Sequence, residues 1–195
     1  MVSSRCIDDG TRCTQLGSGR LDLAELLLQN GVGDQEGMMA SVQTITRSAP
    51  TVVATDTVAT SVMRVQSRGA GFVDISSDVT KFLAEIAAQE GALTVFIRHT
   101  SASLTIQENV DPSVLVDLLG VLDRLAPQSF RWTHDSEGPD DMPAHVRTML
   151  TATSLHVPVL AGRMALGTWQ AIYLIEHRAR PHKREVVLQF VGKAG

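Results

Sequence analysis

Cysteine is almost missing from this chain of 195 residues: the only two, Cys6 and Cys13, lie in the first segment and match no zinc or redox spacing. The rest of the chain therefore has no thiol nucleophile, and a reducing cytoplasm is the expected compartment. Aromatic residues make up only 4%, so Trp169 is expected in the core, where packing needs it, rather than as a free stacking platform. No apolar run approaches the roughly 20 residues that a bilayer span requires. The N-terminus, MVSSRCIDDGTRC, has no apolar signal core and carries acids, so neither a secretory nor an organellar address is expected. Lysine and arginine are scattered and the net charge is −4. Without a basic stripe, nucleic acid is not an expected partner. The one basic cluster, from Arg178 to Arg184, holds Pro181 and reads as a turn between two strands.

What remains is apolar enough, at 44% hydrophobic residues, to bury one good core. Residues 1–58 read as an N-terminal extension without ordered structure, and Met38 and Met39 offer an alternative start. Within it, Leu21 to Leu28 fits a short amphipathic helix, and Ser41 to Val62 fits a loose linker or one added strand. Residues 59–195 read as the folded domain. Ser61 to Gln66 alternates, and Gly71 to Ile75 fits a second strand. Ser77-Asp78 caps a helix bearing Val79, Phe82, Leu83, Ile86 and Ala87 on one face, with Gly91 as its end. Strands follow at Leu93 to Ile97 and around Leu104 and Ile106. Asp111-Pro112 starts a helix reaching Pro127, and Asp140-Asp141 starts another through Leu150. Leu155 to Val159, Thr168 to His177 and Arg184 to Val191 fit strands. Strands that succeed one another without intervening helices favour an α+β, sandwich-like fold with a largely antiparallel sheet.

Polar groups recur where these apolar runs end. His99, beside Thr100 and Ser101, follows a buried strand, and its imidazole suits metal ligation or proton relay. Asn109 ends the next strand with no turn role of its own, and Asp111 is a helix cap whatever else it does. Asp141 and His145 stand four apart and share a helix face. With His134 from the preceding loop they form a ligand set of the kind zinc takes. On the last long strand Trp169, Ala171, Tyr173, Ile175 and His177 share one face; Gln170, Glu176 and Arg178 share the other. Glu176 and Arg178 read either as a same-face ion pair or as a phosphate clamp with its orienting acid.

The blocks His99-Thr-Ser-Ala-Ser-Leu-Thr-Ile-Gln-Glu-Asn109, Asp111-Pro112, His134 to His145, Gly167-Thr-Trp-Gln170 and Glu176-His-Arg178 occur in this order. The stretch SLHVPVLAGRMALGTWQAI spans Ser154 to Ile172. In both respects the chain resembles the YjbQ family, also known as secondary thiamine-phosphate synthases, over roughly residues 60–192. Ser103 and Ala171 stand where that family often has glycine, and Ile175 where it often has cysteine; bulk at Ser103 is expected to narrow the site. The resemblance implies a homotrimer of α+β subunits that couples hydroxymethylpyrimidine diphosphate to thiazole phosphate. It implies a divalent ion, zinc or magnesium, held by His99, His134, His145 and Asp141. His99, His177, Glu176 and Asn109 are the catalytic candidates, and Arg178, Ser101, Gln170 and Asp111 the substrate-binding ones. A metal-dependent hydrolase of a phosphorylated metabolite and a non-catalytic trimeric ligand-binding protein are the alternatives.

Overall fold

Along the last strand, Arg184, Val186, Leu188 and Phe190 are buried while their odd-numbered neighbours lie nearer solvent, the period-two pattern of a half-buried sheet. The computed structural model describes residues 45–195; the expectations for the helix at Leu21 to Leu28, for the two cysteines and for the start at Met38 fall outside the described residues. The chain divides into two units, Met1–Ala49 and Pro50–Gly195, and every element below belongs to the second.

The strands are β1 (Thr57–Gln66), β2 (Gly71–Asp74), β3 (Ala88–Ile97), β4 (Ala102–Glu108), β5 (Ser154–Leu160), β6 (Arg163–Met164), β7 (Gln170–Glu176) and β8 (Lys183–Ala194). The helices are α1 (Ser76–Glu85), α2 (Pro112–Leu125) and α3 (Asp141–Leu150). The fold is α+β, with two antiparallel sheets: β1-β8-β3-β5-β6 and β2-β7-β4. Their facing residues, among them Leu93, Val95, Leu104, Ile172, Leu174, Val186 and Phe190, form one core with Val79, Phe82 and Leu83 of α1. Each such side chain, fully buried, contributes on the order of 1.5–3 kcal/mol.

Several elements differ from the expectation. Helix α1 ends at Glu85, and Gly91 lies inside β3. There it passes so close to β8 that an added Cβ would sit 2.5 Å from the Val191 carbonyl oxygen. Strand β1 begins at Thr57, within the stretch read as a loose linker or one added strand and ahead of the domain start at residue 59, because its pairing with β8 runs on to Gly192. Residues Ala171 to Glu176 of β7 are all buried, since this strand lies between β2 and β4 and is covered on both faces. Trp169 is 64% exposed and not in the core; it precedes β7 in the turn that the Gln170 N–H closes onto the Gly167 carbonyl.

Two pieces of this scaffold place the polar groups. The loop His99–Ser101 joins β3 to β4, and the turn after β7 joins Glu176 to β8. Helix α3 packs beside β4, so its first turn lies against both.

Candidate metal centre

Asp141 opens α3 and His145 follows one helical turn later, so both side chains project from one face. His134, from the loop before the helix, completes the set. One nitrogen of each histidine and one oxygen of Asp141 all lie within 4.8 Å of one another. His134 Nε2 is 2.8 Å from Asp141 Oδ2, and His145 Nε2 is 3.4 Å from the same oxygen.

His145 Nδ1 lies 2.9 Å from the Thr100 carbonyl oxygen, which only accepts, so Nδ1 carries the proton and Nε2 presents a lone pair. In the neutral ring that lone pair faces a carboxylate oxygen, a pair of acceptors 3.4 Å apart. Such a gap suits a cation. Tetrahedral ligation at about 2.1 Å separates donor atoms by roughly 3.4 Å; the His145–Asp141 pair has that spacing, while His134 stands at hydrogen-bond distance from Asp141. An imidazole whose other N–H is held by a carbonyl is also the usual support of a metal-bound histidine. By donor type and proximity the three groups are a candidate set for a divalent ion.

Arg178 holds Asp141 from behind. Its Nη1 donates to Asp141 Oδ1, its Nη2 donates to the Glu137 carbonyl at 2.7 Å, and its Nε is 3.2 Å from Asp140 Oδ2. Neither acidic side chain caps α3, as had been expected of one of them; Asp140 accepts instead from the Ala179 N–H at 2.8 Å. Partial burial pushes the Asp140 carboxyl up, but the Ala179 N–H and the Arg178 guanidinium outweigh it and hold the group below its ordinary value. Within the subunit the Arg178 Nη1 and Nη2 groups are turned on Asp141 and the Glu137 carbonyl, in place of the phosphate expected there, while Nε makes only a charge contact with Asp140. It orients the Asp141 carboxylate.

Glu176 is corrected in the same way. It is fully buried and accepts four hydrogen bonds: from Arg184 Nε at 2.7 Å, Arg184 Nη2 at 2.6 Å, Ser67 Oγ at 3.0 Å and the Arg178 N–H at 3.0 Å. Burial alone would raise its carboxyl, but these partners hold it below its ordinary value. No lone pair is left for substrate. Its ion-pair partner is Arg184 and not Arg178. Arg184 and Ser67 escape the sequence reading, although Arg184 falls in phase with Val186, Leu188 and Phe190. An arginine in a buried register must have a buried partner.

His177 turns to the opposite side of β7, buried, with Nε2 2.9 Å from Ser103 Oγ. Burial, then the nearby Arg147 charge, push its imidazole down to about 4. Its imidazole is thereby held neutral at physiological pH, away from the range in which the acid–base role expected of it would be served. Ser103 is fully buried and holds His177 rather than narrowing a cleft.

His99 is exposed at the mouth of β3, in a cleft of ≈ 410 Å³ that it shares with His145. Its Nδ1 accepts from the Ser101 N–H at 3.1 Å and lies 3.1 Å from Ser101 Oγ. Partial burial and the Arg184 charge hold its imidazole below the ordinary histidine value. It is not one of the three clustered ligand groups. Ser101 is buried between His99 and Arg184, so the substrate contact expected of it is corrected as well.

Asn109, Asp111 and Gln170 stand elsewhere. The register pairs Ala102 with Glu176 and Glu108 with Gln170, so these three residues lie at the far end of β4 and β7, about 20 Å from the loop at His99. Asp111 caps α2 by accepting from the Ser113 N–H at 2.9 Å, and Gln170 Oε1 accepts from the Gly167 N–H at 2.7 Å. The subunit alone does not bring them to the histidines.

Residues 61–193 match the family described as UPF0047 protein YjbQ-like. A UPF0047 protein of Synechocystis sp. is 45% identical over 133 residues, covering 68% of this chain and 90% of its own. The UPF0047 protein YjbQ of Escherichia coli O157:H7 is 36% identical, with coverage of 67% and 96%. The crystal structure of an uncharacterised YjbQ/UPF0047 protein from Clostridium acetobutylicum superposes with a TM-score of 0.61 at 33% identity, covering 68% of this chain and 98% of that one. By its motifs, its fold and these relatives, the chain belongs to the YjbQ (UPF0047) family.

Proposed function

We propose that this chain is a divalent-metal-dependent enzyme acting on small phosphorylated metabolites, with thiamine-phosphate synthase-like transfer as a secondary activity. The observation that carries the metal is the His134, Asp141 and His145 cluster, in which the His145 lone pair meets an acceptor. Zinc or magnesium held there would supply positive charge to phosphate oxygens. Arg178 keeps Asp141 in place, and the Thr100 carbonyl keeps His145 in its ligating tautomer.

The transfer asks little of a general base. In the reaction that the family resemblance implies, the thiazole ring nitrogen carries no proton when it attacks the pyrimidine methylene carbon. The carbon–oxygen bond breaks, and its electron pair leaves with pyrophosphate. What the protein must do is position two partners and offset charge on the leaving group. That demand suits a site whose catalytic candidates Glu176 and His177 are buried, with the Glu176 carboxylate fully engaged and His177 Nε2 held by Ser103.

A second reading is favoured by the ligand count. Three protein ligands leave coordination positions open, the arrangement that activates water for hydrolysis of a phosphate ester. The two readings separate in one assay series on metal-loaded protein. Pyrophosphate released only when both thiamine precursors are present supports transfer, and phosphate released from a single phosphorylated metabolite supports hydrolysis. Release of neither product overturns both.

The working form is proposed to be a homotrimer, as in the family resemblance, and the reading is of a cytoplasmic enzyme. Helix α2 supports self-association: it buries none of its residues within the subunit, and Val116 and Leu125 are 67% and 60% exposed. No helix among the described residues is long and apolar enough to cross a membrane.

A further inference from the structure

His99 is connected to the interior by a chain of groups whose hydrogen-bond directions are fixed. Glu176 accepts both Arg184 Nε and Nη2, which locks the guanidinium in the plane of the carboxylate. Arg184 Nη2, which only donates, reaches Ser101 Oγ at 3.2 Å. With that oxygen accepting from Arg184, its own hydrogen is left for His99 Nδ1 at 3.1 Å. The Ser101 backbone N–H, which also only donates, reaches the same nitrogen. Both bonds require a lone pair on Nδ1, so the neutral ring carries its proton on Nε2. That nitrogen has no hydrogen-bond partner among the described residues.

A metal-binding imidazole needs the opposite tautomer at Nε2, the one that His145 has. Two histidines share a cleft and are set in complementary states, one as lone-pair donor and the other as proton donor. The cleft is lined by these two imidazoles, four threonines and Met149, with no carboxylate to repel an anion.

We propose that His99 is the fixed hydrogen-bond donor of this cleft, its Nε2–H held toward a ligand oxyanion by the buried relay Glu176–Arg184–Ser101. Arg184, Ser101 and Glu176 are positioning residues: they act through His99 and touch no ligand. The ligand class is a phosphate-type oxyanion bound between Nε2–H and the neighbouring metal centre. The oxyanion contact deepens the reading under Proposed function, whereas the tautomer assignment stands apart from it.

Long-range proton–nitrogen NMR of the full chain reads the tautomer directly, with and without zinc. The expected spectrum has His99 unprotonated at Nδ1 and protonated at Nε2, unchanged by zinc. The reverse tautomer, or a zinc-dependent loss of the Nε2 proton, overturns the proposal and makes His99 a ligand, while leaving the metal reading intact. Titration of the zinc-loaded protein with inorganic phosphate is the second arm. Loss of a hydrogen bond to a charged acceptor predicts at least about tenfold weaker binding in His99→Ala. His99→Gln, which restores an N–H near the Nε2 position, is expected to stay within about threefold of the wild type. Ser101→Ala keeps the backbone N–H on Nδ1, so it is expected to weaken phosphate binding and to raise the minor His99 tautomer without inverting the majority, with zinc content unchanged; a merely structural Ser101 would leave the tautomer ratio alone. Equal phosphate affinity in wild type and His99→Ala, or no phosphate binding to the zinc-loaded wild type, overturns the donor role. Absence of zinc binding altogether, with the His99 tautomer as expected, instead sinks the metal centre and spares the relay.

Discussion

At the scale of single residues, the strongest constraint is a carboxylate and a guanidinium buried together. Removing one charge from such a pair strands the other and costs about 3–5 kcal/mol. Glu176→Gln is therefore expected to lower unfolding free energy by that amount in urea titration, because Arg184, only 1% exposed, loses its counter-charge. The carboxyl of Glu176 is held below its ordinary value in the fold, so the stability it contributes is present above the unfolded carboxyl range and is lost as pH falls through the depressed folded value. His177 acts at higher pH. Its folded value of about 4 lies below the ordinary 6.5, so the unfolded chain binds the extra proton first. Stability is full above pH 6.5 and declines as pH falls toward 4, by roughly 3 kcal/mol over that window. His177→Gln should flatten that part of a thermal-midpoint against pH curve; an unchanged slope would place the titration in another group.

At the scale of elements, close approach between β3 and β8 sets what the strands tolerate. A Cβ at Gly192 would lie 2.2 Å from the Glu90 carbonyl oxygen and 2.7 Å from the Gly91 Cα. Gly192→Ala is expected to destabilise by about 2 kcal/mol or more through displaced backbone. Asp111→Ala, by contrast, removes only the α2 cap and should cost about 1 kcal/mol, with metal content unchanged. The elements themselves are largely legible in the sequence, since period-two runs and Asp-Pro starts are local signals. Pairing is not local. Gly91 carries the sign of a helix end, and only the adjacency of β8 makes it a close-contact residue within a strand. The same reason separates what could be read of the site from what could not. Asp141 and His145 are legible because one helical turn joins them. Glu176 and Arg184 are not, because their contact depends on how the turn after β7 brings β8 back across the interior. Arg178 and Glu176, adjacent on one strand face, suggest each other, yet the guanidinium turns to α3 while the carboxylate turns to β8.

At the scale of the whole molecule, the polar groups legible in the sequence fall into two sets at opposite ends of β4 and β7. Sequence order predicts that they are neighbours along the chain but not that two long strands hold them apart. The exposed apolar side of α2 belongs to the same scale, and the homotrimer it supports predicts a sedimentation mass three times that of one chain. Val116→Glu is expected to shift that mass toward the single subunit, whereas a wild-type chain that sediments as a monomer would remove the trimer. The three groups of the proposed metal site lie within one subunit, so metal binding there is expected to survive dissociation. Metal analysis of the purified full chain after zinc loading and gel filtration tests it most directly. About one ion per chain in the wild type, lost in both His145→Ala and Asp141→Asn while their folded circular dichroism is retained, is the predicted result. Equal metal content in wild type and variants, or none in the wild type, would contradict it.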